Sequence, residues 1–387
     1  MTFLDLFIAV AAVSAIVAGH RLGFLARAIS WAGLALGLAL AALALPRILE
    51  VFSDAGEVQL FFAAVGILIA GGIIGQSIGL VLGGRAKVAI PEGPARNADR
   101  LAGAIAGVVG VLVAVWLLLP TMASVPGWPA EQARNSTVAR SIVAAFPEAP
   151  DTFRALRQII GDDRFPQVFA ALEPAPDLGT PPTSTGISAA VSDRVVASVV
   201  RLESPACGRI QEGSGFVVGD ELVITNGHVV AGASATEVVR TDGVRLQGTV
   251  VGLDPDQDLA AVRVPGLDRA PLPITSPDRG DGGGVYGFPG GGSLRIAPYE
   301  IARRVRATGT DIYDRERTER EVFFLSAALA PGDSGSALVD PNGDVAGVAF
   351  AIAPDRGGVA YALTDTELRA FMTRDLSAPV NTGACIG

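Results

Sequence analysis

The sequence contains very few residues of the kinds that bind metals or carry out redox chemistry. Its 387 residues include two histidines, two cysteines and one lysine, which are His20, His228, Cys207, Cys385 and Lys87. Two cysteines and two histidines spread along the chain cannot form a Cys/His zinc finger or a CxxC redox centre. We therefore expect neither a metal site nor a cofactor.

Charged residues are also scarce. They make up 18% of the chain, whereas hydrophobic residues make up 50%, a composition that disfavours a disordered or fully soluble protein. After residue 120 the chain has 23 basic and 33 acidic residues, a net charge of -10. Because a negative surface repels the phosphates of nucleic acids, we do not expect nucleic-acid binding.

Four apolar stretches precede residue 120, and each is long enough to cross a bilayer, which takes about 20 residues. They cover approximately residues 2–19, 23–45, 58–84 and 101–119. The first lacks a basic leading segment, so we interpret it as a retained helix and not as a cleaved signal peptide. The sequence thus predicts a four-helix transmembrane bundle over residues 1–120, and its size and glycine placement resemble the colicin V production protein family.

Basic residues in the short loops predict the orientation of these spans in the lipid bilayer. The first and third loops are basic, and the second contains Asp54 and Glu57. The first and third loops should therefore face the cytoplasm. This orientation places the protein in the cytoplasmic membrane, with both termini and the whole chain after residue 120 on the periplasmic, extracytoplasmic side.

Glycine recurs every four residues in the third span, at Gly71, Gly75, Gly79 and Gly83. Small residues at this spacing let helix backbones approach closely. The pattern favours packing within one four-helix bundle, with packing between subunits as the alternative. The oligomeric state is therefore left open.

Residues 121–187 are predicted to form a helical stalk and a linker. Helical patterns cover Ser136 to Phe146 and Thr152 to Ile160, and Pro174 to Gly186 is rich in proline, threonine and glycine. This last composition is typical of an extended, exposed linker. The linker could serve either as an uncut spacer or as a site of self-cleavage.

After residue 187, short runs of valine, isoleucine and leucine alternate with glycine, aspartate and proline. Many short strands at this spacing predict an all-β sandwich or barrel, and Thr364 to Phe371 alone is predicted to be a helix. The predicted strands are Val195 to Leu202, Gly215 to Val218, Leu222 to Thr225, Gly248 to Val251, Ala260 to Val264, Gly284 to Gly287, Val322 to Leu325, Ala337 to Val339 and Val345 to Ala351.

Three segments of this β region contain the residue types of a catalytic triad. TNGHVV contains His228, DPDQDLA contains Asp258, and APGDSGSALV contains Ser334. A serine hydroxyl needs a base within hydrogen-bond reach, and the base needs a partner that fixes its tautomer. Lys87 lies in a predicted cytoplasmic loop and His20 at a membrane boundary, so His228 is the base that the sequence offers.

The glycines next to Ser334 predict a tight turn. Gly332 and Gly335 permit backbone conformations that other residues resist, so the N–H groups of Gly332 and Ser334 could converge on an oxyanion. We expect the Asp333 side chain to brace this turn.

The three segments resemble the signatures of chymotrypsin-like serine proteases, in the bacterial trypsin-like branch related to the high-temperature-requirement proteases. This resemblance implies two six-stranded β-barrels over residues 188–387, with His228 as general base, Asp258 as its orienting carboxylate and Ser334 as nucleophile. Asp254 and Asp256 lie close to Asp258, so the choice of carboxylate depends on the match of Asp-Leu-Ala to the family signature.

The family resemblance also implies a specificity pocket. In this fold the residue six before the nucleophile lies at the floor of the pocket, and a later strand forms its wall. The corresponding residues are Ala328, Val348, Phe350 and Ile352. Because all four are apolar, we expect a preference for a medium-sized apolar side chain at the cleavage position.

Cys207 and Cys385 share a compartment that is predicted to be oxidising, which favours a disulfide between them. The order of domains as a whole resembles the actinobacterial membrane-anchored periplasmic serine proteases associated with acid resistance. The predicted function is an extracytoplasmic serine endopeptidase that cleaves envelope or secreted proteins, in acid or other envelope stress. The alternative is a membrane transport or sensing protein whose outer domain is a non-catalytic, protease-like binding domain.

Overall fold

The computed structural model describes residues 2–50, 57–88, 91–125, 127–146, 174–206 and 209–386. The chain divides into two compact units. One comprises Met1–Val125 with Gln132–Asp162, and the other comprises Pro126–Glu131 with Asp163–Gly387.

Four long helices form most of the first unit. They are α1 (Phe3–Leu22), α2 (Phe24–Glu50), α3 (Glu57–Val88) and α4 (Pro94–Ser124). Each contains a stretch that is long and apolar enough to cross a membrane, as judged by length and composition. Many of their large apolar side chains are exposed, as expected for helices surrounded by lipid. The four predicted spans are confirmed as helices of this kind.

Glycines lie at the contact between α2 and α3. A Cβ atom added at Gly75 would lie 2.2 Å from the carbonyl oxygen of Gly33, and one added at Gly37 would lie 2.2 Å from that of Gly71. These distances leave no room for any side chain. The glycine pattern therefore serves helix packing within this chain, the first of the two predicted alternatives.

Two short helices, α5 (Trp128–Asn135) and α6 (Thr137–Ala145), follow the apolar helices. Ser136 caps α6, since its hydroxyl accepts a hydrogen bond from the Ala139 amide (3.0 Å). Asp5 of α1 accepts hydrogen bonds from the Ser136 hydroxyl (2.5 Å) and the Val138 amide (3.1 Å), which fixes α6 to α1. The helix predicted from Ser136 is confirmed, and the one predicted over residues 152–160 lies outside the described residues.

The predicted linker has no regular secondary structure between residues 174 and 188. It is nevertheless docked, because Ala175 is buried and donates its amide hydrogen bond to Asp355 (2.9 Å). Leu178 and Ile187 pack against the same core. The segment is thus exposed in places but not along its whole length, because its apolar side chains bury themselves against the β domain.

Two closed, antiparallel six-stranded barrels form the second unit, which confirms the predicted fold. The strand orders are β1-β2-β3-β6-β5-β4 and β10-β11-β12-β9-β8-β7. The strands of the first barrel are β1 (Val199–Ala206), β2 (Arg209–Gly219), β3 (Leu222–Thr225), β4 (Thr236–Arg240), β5 (Arg245–Asp254) and β6 (Leu259–Arg263). Those of the second are β7 (Gly282–Gly287), β8 (Arg295–Thr310), β9 (Arg317–Ala327), β10 (Ala337–Val339), β11 (Val345–Ile352) and β12 (Val359–Thr364).

Three α-helices accompany the barrels in the described chain: α7 (Ala189–Val196), α8 (Gly227–Val230) and α9 (Asp365–Met372). A short 3₁₀ helix, Pro289–Gly291, follows β7. The predicted strand from Val195 was wrong at its first four residues, because Val195 and Val196 end α7 and the next two residues form a turn before β1. The Ser188 hydroxyl caps this helix by accepting from the Val191 amide, and Val195 is buried in the core, so capping and packing override the β preference of the valines.

One hydrophobic cluster contains side chains of both barrels. It includes Phe216 and Leu259 of the first barrel with Phe324 and Phe350 of the second. This shared core holds the end of β3, the β5–β6 loop and the β9–β10 loop near the junction of the barrels. The three segments singled out in the sequence occupy these positions.

Candidate active site

His228 lies in α8, three residues after the end of β3. Its ring Nδ1 is 2.8 Å from Oδ2 and 3.0 Å from Oδ1 of Asp258. The His228 backbone amide also donates to Asp258 Oδ1 (2.9 Å). One carboxylate therefore holds both the backbone and the ring of His228, and it fixes the Nδ1–H tautomer.

Asp258 ends the β5–β6 loop, and its side chain is fully buried. Its backbone has φ = 57°, a left-handed conformation that aspartate tolerates better than most residues. Asn226 donates its side-chain amide to the Asp258 carbonyl (2.8 Å), which ties this loop to the segment before His228. The turn of the loop thus directs the carboxylate at the imidazole.

Asp254 and Asp256, the two nearby carboxylates, have other roles. Asp254 accepts hydrogen bonds from the amides of Asp256 (3.0 Å) and Gln257 (3.1 Å) and forms an ion pair with Arg374. Asp256 is exposed. Of the three carboxylates that the sequence offered, the structure places Asp258 against the ring of His228.

Ser334 lies in the tight turn between β9 and β10, where Gly332 and Gly335 have φ values of 94° and 83°. Gly335 is constrained by space as well, because a Cβ atom would lie 2.1 Å from the Ser214 carbonyl oxygen and 3.1 Å from the Asn226 amide. This close approach packs the turn against the residues that lead into α8. Ser334 therefore lies beside the end of β3 that carries His228.

The backbone amides of this turn fall into two groups. Those of Asp333, Gly335 and Ser336 donate to the carbonyl oxygens of Ala330, Ala349 and Asp333 (2.8–3.0 Å). Those of Gly332 and Ser334 donate to no protein atom within the described part of the chain. The two amides predicted to form an oxyanion hole are therefore the ones left available for a ligand.

Asp333 braces the turn, as expected. Its buried carboxylate accepts the Ala330 amide (2.9 Å) and forms an ion pair with Arg295 (2.5 Å). Burial raises the pKa of Asp333 above its ordinary value, against the lowering effects of the Ala330 amide and Arg295. These partners belong to the same turn and to β8, so the Asp333 side chain ties the turn to that strand.

No hydrogen bond joins the His228 ring to Ser334 among the described residues. In sites of this kind the contact between base and nucleophile often tightens only when the substrate binds. The Asp258–His228 pair, the glycine turn and the two available amides are thus in place around Ser334.

Arg320 is a residue of this region that sequence reasoning missed. It is almost fully buried in β9, and it donates to the carbonyl oxygens of Asp256 (2.5 Å) and Thr310 (2.6 Å). The Thr318 hydroxyl also donates to the Asp256 carbonyl (3.1 Å). Two residues of the second barrel thus hold the loop that ends in Asp258, although nothing in the sequence marks a contact between positions 64 residues apart.

The predicted pocket residues do not all reach the surface. Ala328 is exposed and Ile352 is partly exposed. Val348 and Phe350 are fully buried in the core, so the prediction that their side chains line an accessible pocket was wrong. The reason is that β11 is covered on both faces. A strand buried in this way and a strand that lines an apolar pocket have the same apolar sequence.

Cys207 lies outside the described residues, so the predicted Cys207–Cys385 disulfide stays a prediction. Within the described chain, the tail before Cys385 is anchored on the first barrel. The Gly232 amide donates to the Thr382 carbonyl (2.9 Å), and the Thr382 hydroxyl donates to the Ala233 carbonyl (2.9 Å).

Comparison with known proteins agrees with the barrels and with the apolar helices. Residues 213–348 match the family described as the trypsin-like peptidase domain, and residues 4–147 match the colicin V production protein family. Serine protease PepD of Mycobacterium tuberculosis is 32% identical over 258 residues, which cover 60% of this chain and 54% of PepD.

Serine protease Rv3671c of Mycobacterium tuberculosis is similar over nearly the whole length. It is 34% identical over 397 residues, which cover 99% of this chain and 98% of Rv3671c. The crystal structure of the Rv3671c protease in its active form superposes with a TM-score of 0.50 and 35% identity, over 56% of this chain and all of that one. This chain is therefore a serine protease, and it belongs to the family of trypsin-like serine proteases that includes Rv3671c.

Proposed function

We propose that this protein is a membrane-anchored, extracytoplasmic endopeptidase that acts through an acyl-enzyme, with His228, Asp258 and Ser334 as its catalytic triad. The proposal depends on one observation above all. The buried Asp258 carboxylate holds both the ring Nδ1 and the backbone amide of His228, beside a serine whose turn leaves two amides without a partner in the described part of the protein. This arrangement provides a base, a nucleophile and an anion site in one place.

In the first step, His228 Nε2 takes the hydroxyl proton of Ser334 while the oxygen attacks the carbonyl carbon of the scissile peptide. The resulting imidazolium carries one proton on each ring nitrogen, and Asp258 accepts a hydrogen bond from the Nδ1–H. Since Asp258 is fully buried, its negative charge faces the ring with little screening by solvent.

The tetrahedral intermediate places a negative oxygen near the amides of Gly332 and Ser334, which stabilise it. His228 then donates its proton from Nε2 to the leaving amine, the C–N bond breaks, and the acyl group stays on Ser334. A water molecule, activated by the same histidine, hydrolyses this ester and restores the free serine.

Covalent trapping tests this assignment directly. We expect a fluorophosphonate to form an adduct on Ser334 in the full-length protein, identified by mass spectrometry of the labelled peptide. The Ser334→Ala variant should remain unlabelled. Labelling on another residue, or none on the wild-type protein, would contradict the proposed triad and favour the alternative of a non-catalytic binding domain.

We further propose that the substrates are envelope or secreted proteins, cut after a medium-sized apolar residue, and that this activity serves acid or other envelope stress. The four apolar helices and the basic loops between them support a membrane anchor with the barrels outside the cytoplasm. The accessible Ala328 and Ile352 support an apolar pocket. Self-cleavage in the segment 174–186 stays a prediction.

New protein N-termini in envelope fractions would test the substrates and the specificity together. Cells with the wild-type chain, compared with Ser334→Ala cells, should show new termini preceded by medium-sized apolar residues, with more of them at acidic pH. Cleavage mainly after arginine or lysine would contradict the apolar pocket. Identical sets of termini in the two strains would contradict envelope proteins as substrates.

We also propose the disulfide between Cys207 and Cys385. The contacts of the tail support it, because Ala206 pairs with Ala233, and the Ala233 carbonyl accepts the Thr382 hydroxyl close to Cys385. In the chain-entropy model, closing the long loop between Cys207 and Cys385 stabilises the fold by roughly 5 kcal/mol. Non-reducing peptide mapping should recover the two cysteines in one linked peptide, and two free thiols would contradict the pairing.

A further inference from the structure

Ser214 of β2 makes hydrogen bonds to the catalytic turn although it belongs to the other barrel. Its side chain is fully buried. The hydroxyl donates to the Gly332 carbonyl (2.7 Å) and accepts from the Phe288 amide (2.9 Å). The Ser214 amide donates to the Ser334 carbonyl (2.8 Å). One residue thus binds the turn at two carbonyls and also binds the segment that follows β7.

A second contact fixes the peptide plane just before Gly332. The Gly290 amide donates to the Pro331 carbonyl (2.8 Å), and in a trans peptide the Gly332 N–H points the opposite way from that carbonyl. The Ser214 hydroxyl fixes the next carbonyl, that of Gly332 itself. With both planes held, a glycine that could otherwise rotate freely at φ = 94° keeps its amide directed out of the turn.

We propose that Ser214 is a positioning residue for the oxyanion hole: its hydroxyl and amide hold the turn so that the Gly332 and Ser334 amides face the substrate carbonyl oxygen. This inference rests on the proposed function of those two amides. Without the hydroxyl, the buried Phe288 amide and the Gly332 carbonyl both lose their partner. The peptide plane after Gly332 is then free to rotate toward a new partner for its carbonyl, whereas the plane before it stays held by Gly290. This rotation changes the angle between the Gly332 and Ser334 amides, so the two no longer point at one oxyanion.

The expected effect is on the transition state and not on substrate binding. We expect Ser214→Ala to lower kcat by about 10- to 100-fold and to leave KM nearly unchanged, because the oxyanion forms only after attack. A peptide boronic acid ending in valine forms a tetrahedral adduct on serine. Its affinity for the enzyme should fall by the same factor as kcat. Here kcat is measured on the p-nitroanilide of the same peptide, which also ends in valine.

Ser204 provides a matched control. It is also a fully buried serine, in the adjacent strand β1, and its hydroxyl bonds to the Thr236 hydroxyl of β4 (3.2 Å). Ser204→Ala removes a comparable hydrogen bond from the same barrel, so kcat and boronic-acid affinity should stay at the wild-type values. Thermal unfolding of the full-length variants in detergent shows whether each is folded.

The outcomes separate this inference from the proposed function. If wild-type Ser334 reacts with the fluorophosphonate and Ser214→Ala matches wild type in kcat and boronic-acid affinity, the positioning role is wrong while the triad stands. Equal losses in Ser214→Ala and Ser204→Ala would likewise contradict it, since they would show a general loss of packing. If wild-type Ser334 does not react at all, the proposed function itself fails.

Discussion

Replacing Ser334 by alanine is expected to lower kcat by about 10⁵-fold or more while leaving the thermal unfolding midpoint unchanged. The loss is large because no other group can form the acyl-enzyme. Stability should not suffer, because the Ser334 hydroxyl makes no hydrogen bond to protein within the described chain. Activity remaining in the variant would come from water attack assisted by the oxyanion amides.

Ser336 supplies the control for this prediction. It lies two residues further along the same turn and is fully buried. Its hydroxyl has no hydrogen-bond partner among the described residues. Ser336→Ala should therefore retain kcat within a few-fold of wild type, and it should still be labelled by fluorophosphonate on Ser334. A Ser334→Ala enzyme that kept about a tenth of the wild-type kcat would overturn the assignment of the nucleophile.

Asp258→Asn is expected to lower kcat by about 10⁴-fold, although the two side chains have nearly the same shape. The geometry gives the reason. The His228 backbone amide donates to Oδ1 of Asp258, so an asparagine would place its oxygen there and its NH₂ group opposite the His228 ring. The ring Nδ1 would then have to accept a hydrogen bond. The proton would move to Nε2, and His228 could no longer take a proton from Ser334.

The matched control is Asp256→Asn, which makes the same change of charge in the same loop. Asp256 is exposed, and it is the Asp256 backbone carbonyl, not the carboxylate, that holds the loop through Arg320 and Thr318. Its replacement should leave kcat and the unfolding midpoint near the wild-type values. Similar losses in the two variants would mean that the loop responds to charge in general, and the tautomer argument would then be wrong.

The family resemblance predicted both barrels, but the strand pattern of the sequence missed three of their strands. Of these, β8 (Arg295–Thr310) is the longest strand among the described residues, yet it contains a proline and four arginines, three of which are exposed. The sequence of this strand therefore does not show a clear alternation of apolar and polar residues. β4 is short, and β12 directly follows two glycines, so neither produced a clear apolar run. These strands form because their neighbours in the barrel pair with them.

The triad residues could be predicted because each lies in a short segment whose neighbours are also constrained. His228 lies three residues after a buried strand, and Ser334 lies between two glycines that have positive φ. Ser214 and Arg320 could not be found in this way. Their partners lie 118 and 64 residues away, and only the folded barrels bring these residues together.

The hold that Arg320 and Thr318 exert on the Asp256 carbonyl has a consequence for engineering. The loop that orients the imidazole is built by the first barrel but completed by the second. Consider a chimera that joins the first barrel of this protein to the second barrel of a relative. The relative's barrel must then supply residues equivalent to Arg320 and Thr318, placed so that they donate to the Asp256 carbonyl. In exchanges between relatives, the two barrels should therefore be transferred together.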